Sequence, residues 1–272
     1  MSLLDLLARR PSDIELDCAA LELASIEYPD LDAARYVREL DDYASAIADR
    51  THDLSDGEKF VATANAWLFG KCRFQGNQDD YYNAENTYLN RVIETRMGIP
   101  ISLSLIYIEV ARRLVKPVRG IGLPGHFIVS YDDGQYATYI DPFHGGALLD
   151  ADGCYRLVQP ALGDGEATLD ASDFAPVDKR MIVMRMVNNL RQVYFAHQDP
   201  KRALRMLDLL IEADPASPDE HKQRAAALIQ LRRMGQALAG FRRYLELAPN
   251  APDRERIKEY IHDIAFWLAA RN

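Results

Sequence analysis

The sequence predicts an α+β domain, made of a buried helix and an antiparallel sheet, followed by an all-α region of helical repeats. Residues 101–114 are apolar on most sides, which is typical of a helix that is buried nearly all round. Short strand-like runs with a turn signal follow this helix, and that order favours an α+β layout. Toward the end of the chain, similar residues recur every 34 positions, which indicates stacked helical units.

The first part of the chain is predicted to be helical. Residues 11–48 place apolar side chains on one face at helical spacing. The run Ser55-Asp56-Gly57-Glu58 predicts a capping box, in which the serine hydroxyl accepts a free backbone N–H. The helix that it opens is expected to end near Phe69.

The segment before the central helix is predicted to be a structured loop and a second helix. Residues 70–86 are polar and aromatic, whereas residues 87–97 return to helical spacing. Gly98 is the expected C-cap of that helix. Pro100 then suits the first turn of the central helix, because its missing N–H needs no partner there.

Three short strands are predicted after the central helix, at residues 118–121, 126–131 and 136–140. Asp132-Asp133-Gly134 predicts a hairpin turn between the last two, because Asp and Gly tolerate positive φ. Residues 151–180 contain several glycines and prolines and are expected to form a long surface connection.

The C-terminal region carries a repeat of tetratricopeptide length, with Pro215 and Pro249 34 residues apart. The positions that agree with the repeat signature are Leu190, Tyr194, Ala203, Leu207 and Pro215 in the first unit, and Ala225, Leu228, Ala237, Phe241 and Pro249 in the second. Residues 252–268 are the expected capping helix, and an ordinary helical bundle is the alternative.

Composition narrows the classes of function. With 41 acidic and 32 basic residues the formal charge is −9, which disfavours nucleic acid as a partner. Three widely spaced cysteines without a CxxC pair argue against a disulfide framework or a cysteine zinc site. No signal peptide or membrane span is recognised, so a cytoplasmic protein without a cofactor is expected, as a monomer.

A catalytic pair is predicted from His126, which opens one strand, and Asp141, which follows the next strand. The hairpin would make them neighbours, and a carboxylate on an imidazole fixes its tautomer and raises its basicity. The nucleophile should come from the start of the central helix, where the helix dipole stabilises a thiolate or an oxyanion. No cysteine lies there, and Ser102 and Ser104 are the available hydroxyls.

Other interpretations of these residues stay open. Ser102 is more simply a capping or packing serine, and Cys72 can approach the site from the polar loop. A metal bound by His126, Asp141 and His144, with Asp80 or Glu85, is possible, but the spacing matches no familiar ligand pattern. The candidate binding residues are Asn77, Tyr82, Asn83, Asn86 and Asn90. This amide-rich cluster would either line a cleft or satisfy the loop backbone.

Several runs together carry a family resemblance. They are Phe74-Gln75-Gly76-Asn77, Tyr81-Tyr82-Asn83-Ala84-Glu85-Asn86, Gly98-Ile99-Pro100-Ile101-Ser102-Leu103, Leu123-Pro124-Gly125-His126-Phe127 and Ile140-Asp141-Pro142-Phe143. Over roughly residues 30–265 the chain resembles the SirB-type bacterial proteins, which have a transglutaminase-like core and C-terminal tetratricopeptide repeats. A related core occurs in an F-box protein.

The resemblance implies a papain/transglutaminase-like fold, whose active members use a Cys-His-Asp triad. Their histidine and aspartate match His126 and Asp141, whereas the cysteine position falls on Pro100, with Ser102 the nearest hydroxyl. The implied organisation is a transglutaminase-like domain with a helical N-terminal part (1–160), a connection (161–183) and tetratricopeptide repeats with a capping helix (184–272).

The preferred functional hypothesis is a non-catalytic regulatory protein that binds a protein or peptide through the repeats. The alternative is an amidase, peptidase or acyl transferase that uses Ser102 or a cysteine with His126 and Asp141. A third hypothesis is a scaffold whose cleft is a relic of the fold.

Overall fold

The structure is a computed structural model that describes residues 3–51, 53–162 and 169–270. The chain divides into two compact units, Met1–Met186 and Val187–Asn272, each with its own buried core. In the part of the chain that is described, no helix is long and apolar enough to cross a membrane.

A buried helix, α6, lies at the centre of the first unit. The helices of this unit are α1 (Leu3–Leu7), α2 (Leu16–Ser25), α3 (Ala33–Ala48), α4 (Gly57–Asn65), α5 (Leu89–Thr95), α6 (Pro100–Arg113) and α7 (Ala151–Leu162). Every residue of α6 from Pro100 to Ala111 is buried, because the helix contacts α2, α3, α5 and four strands. The predicted central helix is confirmed, with Pro100 in its first turn.

A four-stranded antiparallel sheet follows α6. Its strands, in order across the sheet, are β3 (Val118–Leu123), β4 (His126–Asp132), β5 (Ala137–Asp141) and β6 (Ala147–Leu149). The predicted turn joins β4 to β5, with Gly134 at φ +84° and the Asp132 carboxylate accepting the Gly134 N–H. The predicted α+β fold is thereby confirmed.

Two short parallel strands, β1 (Gln75–Gly76) and β2 (Met97–Gly98), replace the predicted cap at Gly98. That prediction is wrong, because Arg96 takes the left-handed C-cap of α5 at φ 63°. Gly98 is needed for a different reason: a Cβ there would lie 2.8 Å from the Ser102 hydroxyl.

Two other local expectations are corrected in the N-terminal part. The single helix expected over residues 11–48 is broken between Ser25 and Ala33. The cap of α4 is Asp56, whose carboxylate accepts the Lys59 N–H at 3.0 Å, while the Ser55 hydroxyl instead bonds Asp53 at 2.6 Å. Asp56 directly precedes Gly57, the first residue of α4, so it holds the N-cap position, from which a carboxylate reaches the N–H of the third helical residue.

The region expected to be a long connection contains a helix. α7 spans Ala151–Leu162, with Pro160 near its end, and it buries Gly153, Cys154 and Val158. Cys154 and Val158 pack with residues of β3 and β4, so tertiary burial overrides the weak helix signal of the glycine and proline. Residues 163–168 of the predicted connection lie outside the described residues.

The second unit is a stack of helices, as the repeat predicted. The helices from the end of the first unit onward are α8 (Lys179–Ala196), α9 (Pro200–Ala213), α10 (Pro218–Gln230), α11 (Met234–Leu247) and α12 (Arg254–Ala269). Neighbours in sequence pack on one another from α9 to α12. Ala203 and Ala237 are fully buried, as close helix packing requires.

Candidate functional site

The β4–β5 hairpin brings His126 and Asp141 together. The register pairs Val129 with Ile140, so Asp141 follows opposite Ile128. His126 lies two residues from Ile128 and therefore on the same face of the sheet. The His126 Nε2 atom lies 3.1 Å from both carboxylate oxygens of Asp141. The Asp141 side chain is 1% exposed and that of His126 is 12% exposed, so the pair lies at the edge of the core.

Asp141 is held in place by the backbone that follows it. Its Oδ1 atom accepts the N–H groups of Phe143 at 3.0 Å and of His144 at 3.4 Å, which caps the short 3-10 helix Pro142–His144. Burial raises the pKa of Asp141, but hydrogen bonds from His126 and His144 outweigh it, and the pKa lies below its ordinary value. The carboxylate is therefore a fixed negative charge.

His144 is a second imidazole partner of the same carboxylate. Its Nδ1 atom lies 2.7 Å from Asp141 Oδ2, and its ring stacks on the His126 ring at 5.8 Å between centroids. His144 is 42% exposed, so the cluster opens to solvent on its side. From the sequence, His144 is considered only as a metal ligand. Its position three residues after Asp141, which caps the 3-10 helix, is a signal for the contact between the two side chains.

Aromatic side chains surround the two histidines. Phe143 contacts the His126 ring edge-on at 5.9 Å and Tyr81 at 6.0 Å, and Tyr81 contacts Tyr82 at 5.4 Å. Gly76 allows this arrangement, because a Cβ there would lie 2.5 Å from the Phe143 ring. Tyr82 is 60% exposed, so it is the member of this group that is most available to a ligand.

Arg185 of α8 positions the start of β4. Its guanidinium donates to the carbonyl of His126 at 2.8 Å and to that of Leu123 at 3.3 Å, and it lies over the Phe127 ring. Burial lowers the pKa of Arg185. Sequence analysis missed this residue, because nothing local indicates that a helix some sixty positions later would hold the strand.

Ser102 is used as a cap of α6. Its hydroxyl donates to the Asn86 carbonyl at 2.6 Å and accepts the Ile99 N–H at 3.1 Å. The residue is fully buried. Among the hydrogen bonds of the described residues, none joins Ser102 to His126, and Pro100 occupies the first turn of the helix.

The three cysteines do not supply an activated thiolate. Burial raises the pKa of Cys72, although Arg96 and Lys71 lower it in part. Burial and nearby carboxylates raise the pKa of Cys18 to about 12 and that of Cys154 to about 11. Reactive cysteines need surroundings that lower the pKa, and in all three of these sites the pKa is raised, with burial as the largest cause.

The amides of the polar loop bond mainly to the loop itself. Asn77 donates to Asn86 Oδ1 at 3.0 Å, Asn86 donates to the Asp80 carbonyl at 2.7 Å, and Asn83 Oδ1 accepts the Glu85 N–H at 2.9 Å. From the sequence, the amide cluster is expected either to line a cleft or to satisfy the loop backbone, and these contacts favour the second interpretation.

Asn90 is not bonded to these amides within the described residues. It is 3% exposed, and its Oδ1 atom has no hydrogen-bond partner in that part of the chain. It lines a cavity of about 460 Å³ together with Tyr28, Tyr36 and Arg91. Asn90 is therefore not counted among the residues of the histidine cluster.

Three ligand atoms of the histidine cluster could hold a metal ion. His126, Asp141 and His144 each offer one such atom, and these atoms lie within 4.8 Å of one another. Within the described ranges no other group of three such residues meets this condition. The other suggested ligands are engaged elsewhere, since Asp80 accepts from Asn83 and Glu85 pairs with Arg91.

Comparison with known proteins defines the class of protein to which this chain belongs. Residues 34–188 match the model of the transglutaminase-like superfamily, and residues 190–262 match a tetratricopeptide repeat. The fold and the His–Asp pair thus define a transglutaminase-like domain that is followed by tetratricopeptide repeats.

Individual relatives narrow this class. A UPF0162 protein of Xylella fastidiosa (strain Temecula1) is 37% identical over 255 residues, 93% of this chain and 90% of its own. One from Pseudomonas aeruginosa is 30% identical over 231 residues, 84% of this chain and 82% of its own. The chain belongs to the UPF0162 family of transglutaminase-like proteins. The relatives carry that name, and the SirB-type label stays a prediction.

A human protein is similar in sequence to part of this chain. F-box only protein 21 of Homo sapiens is 29% identical over 198 residues, which is 70% of this chain but 29% of that protein. The similarity therefore concerns one region of a much longer relative.

Proposed function

We propose that this protein is a non-catalytic member of the transglutaminase-like superfamily that binds a protein or peptide through its repeats. The observation that carries the proposal is the start of α6. By the family resemblance Pro100 falls on the position of the cysteine of active relatives. Pro100 begins α6, and the Ser102 hydroxyl is engaged by the Asn86 carbonyl and the Ile99 N–H. A His–Asp pair without an adjacent nucleophile cannot form an acyl intermediate.

The state of the thiols supports the same proposal. The pKa of Cys18, of Cys72 and of Cys154 is raised in each case. At neutral pH each is then almost entirely protonated and therefore a poor nucleophile.

The last helix supports a binding role for the repeats. On α12 the side chains of Tyr260 and Phe266 are 45% and 71% exposed. Large aromatic side chains on a surface contribute strongly when a partner buries them. Tetratricopeptide repeats generally mediate protein interactions, and such exposed rings are suitable anchors.

The absence of catalysis is tested by covalent labelling. The full chain is treated with broad serine- and cysteine-reactive acylating and alkylating probes, and modified residues are identified by mass spectrometry. We expect no labelling that depends on His126, when His126→Ala is compared with the exposed control His262→Ala. Labelling of one residue that disappears only in His126→Ala would overturn the proposal.

Binding is tested with a displayed peptide library selected on the full chain. We expect selected peptides to bind Phe266→Ser at least about tenfold more weakly than the parent, as for an aromatic anchor. Leu148→Ser on β6 is the matched control, since Leu148 is 53% exposed and lies in the first unit. Equal affinity for the two variants would exclude α12 from the binding surface.

The retained His126–Asp141 pair favours a second candidate, an amidase, peptidase or acyl transferase with a Ser/Cys-His-Asp arrangement. The pair has the hydrogen bond that a general base requires. For this function a nucleophile would have to reach His126 through a rearrangement of the start of α6. The labelling experiment distinguishes the two candidates.

A further inference from the structure

The cluster of His126, Asp141 and His144 offers three ligand atoms of the kinds that a transition metal prefers. Two imidazole nitrogens and one carboxylate oxygen form the usual three-protein-ligand set of zinc and non-haem iron sites. We propose that these residues bind one divalent transition-metal ion of the zinc type, through His126 Nε2, a carboxylate oxygen of Asp141 and His144 Nδ1.

The separations of the ligand atoms are close to those of a tetrahedral site. With metal–ligand bonds of about 2.0–2.2 Å, neighbouring ligand atoms of a tetrahedron lie about 3.3–3.6 Å apart. Asp141 Oδ2 lies 3.1 Å from His126 Nε2 and 2.7 Å from His144 Nδ1, and the two imidazole nitrogens lie within 4.8 Å of each other. Shifts of less than about 1 Å would bring both carboxylate–imidazole separations into the tetrahedral range.

The surroundings of the cluster hold the ligands as a metal site requires. Asp141 Oδ1 accepts two backbone N–H groups, which leaves Oδ2 facing the imidazoles. Arg185 fixes the backbone of His126 by a bond to its carbonyl. Such outer contacts orient ligands before the ion arrives, and their loss commonly weakens metal binding 10- to 100-fold.

Charge and access also suit a divalent ion. The cluster contains one buried carboxylate and two imidazoles, so a cation gains a negative partner that has lost most of its water. His144 is 42% exposed, which leaves an entry path and room for water as the fourth ligand. This proposal does not rest on the proposed binding of a peptide by the repeats.

The competing explanation is a hydrogen-bonded network without metal. In that case each imidazole keeps a proton on the nitrogen that faces Asp141, and that N–H donates a hydrogen bond to the carboxylate. Metal binding requires those same nitrogens to be unprotonated, with the remaining proton of each ring on its other nitrogen. The two explanations therefore predict opposite results in a metal titration.

The test is equilibrium dialysis of the chelator-stripped full chain against Zn²⁺, with bound zinc measured by mass spectrometry. We expect one equivalent of Zn²⁺ to bind the parent, and His126→Ala and His144→Ala to bind it at least about 100-fold more weakly. His262→Ala is the matched control, since His262 is an exposed histidine on α12 and should bind like the parent. Circular dichroism checks that each variant is folded, and the exposed position of His144 makes His144→Ala the safer of the two.

A second measurement reports the geometry. Co²⁺ in place of Zn²⁺ should give the visible absorption of a tetrahedral site, and this absorption should be lost in His144→Ala. The proposal is overturned if the parent binds less than one equivalent of Zn²⁺, or if both histidine variants bind it as tightly as the parent.

Discussion

At the scale of single residues, the hydroxyl of Ser102 joins three parts of the first unit. It bonds the carbonyl of Asn86 in the loop and the N–H of Ile99 before α6, while its own Cα belongs to the helix. Because all these groups are buried, each bond replaces one that water would otherwise supply. A residue with such contacts stabilises the fold, whatever its position relative to the histidines.

Ser102→Ala is therefore expected to lower the free energy of unfolding by about 1–3 kcal/mol, the cost of leaving buried backbone groups without partners. Ser104→Ala is the matched control, since Ser104 is equally buried but makes only one long bond of 3.4 Å, to the Phe127 carbonyl. Its loss should cost less than about 1 kcal/mol. Denaturant titration measures both, and equal effects would contradict the capping role.

At the scale of elements, an ionic cluster ties α6 to α2 and α3. Arg113 on α6 bonds Asp17 and Asp41 at 2.6 Å each and Glu109 at 2.9 Å. The side chains of Asp17 and Glu109 are 2% and 0% exposed. Burial raises the pKa of Asp17 but the bonds from Arg113 outweigh it, whereas burial and Asp17 leave the pKa of Glu109 raised.

Arg113→Met should destabilise the protein by about 3–5 kcal/mol at neutral pH, because it leaves buried carboxylates with too little positive charge. The wild-type contribution of Asp17, whose folded pKa is lowered, is present above the ordinary carboxyl pKa and lost as the pH falls. In the variant, protonation also relieves the repulsion between the two acids. The difference in stability should therefore shrink as the pH falls through about 4, the ordinary carboxyl pKa, and on toward the lowered pKa of Asp17.

Arg112→Met provides the comparison. Arg112 also bonds Glu109, at 2.7 Å, but it is 40% exposed and lies 3.7 Å from Asp17. Its replacement should cost clearly less, and denaturant titrations at several pH values measure both variants. A difference that is independent of pH would contradict the role assigned to Asp17.

The repeat helices depend on small residues where they meet. A Cβ at Gly240 of α11 would lie 3.0 Å from the Cβ of Ala225 on α10, whereas one at Gly235 meets no atom within 4 Å. The same substitution at these two glycines therefore separates helix packing from helix propensity.

Gly240→Leu should destabilise the second unit by about 1–3 kcal/mol, because the added side chain forces α10 and α11 apart. Gly235→Leu should be neutral or stabilising by up to about 1 kcal/mol, because leucine favours the helix more than glycine does. Thermal and denaturant unfolding followed by circular dichroism would show the contrast. Equal effects of the two substitutions would contradict the role assigned to close packing at Gly240.

At the scale of the whole molecule, the chain combines a domain with a His–Asp cluster and a stack of repeats with exposed rings. The two proposed activities, metal binding and peptide binding, use residues of different units. The boundaries 1–160, 161–183 and 184–272, the cytoplasmic location and the monomeric state stay predictions.

His144→Ala should abolish the uptake of Zn²⁺ but change the affinity for a selected peptide less than about twofold, since His144 and Phe266 belong to different compact units and independent sites commonly behave additively. Phe266→Ser should do the reverse. Measuring both properties in both variants, and in the double variant, tests this independence. A loss of peptide affinity in His144→Ala would mean that the two functions are coupled.

Much of the architecture was determined by the sequence alone, because it rests on local patterns. The apolar faces of 101–114 predict burial, the Asp-Gly turn predicts the hairpin, and the 34-residue period predicts the stacked helices. The hairpin also places His126 beside Asp141. Periodicity and turn chemistry act over a few residues, so they can be read without knowing the neighbours.

Only the tertiary structure decided which groups complete the site. The break before Ala33 has a local cap at Asp32, whereas the left-handed residue Arg96, the helix α7 and the capping bonds of Ser102 involve contacts with segments distant in sequence. The same is true of Arg185 on the His126 carbonyl. Local preference contributes only a few tenths of a kcal/mol per residue, and a buried hydrogen bond between distant segments contributes more. No local pattern in the sequence records such a bond.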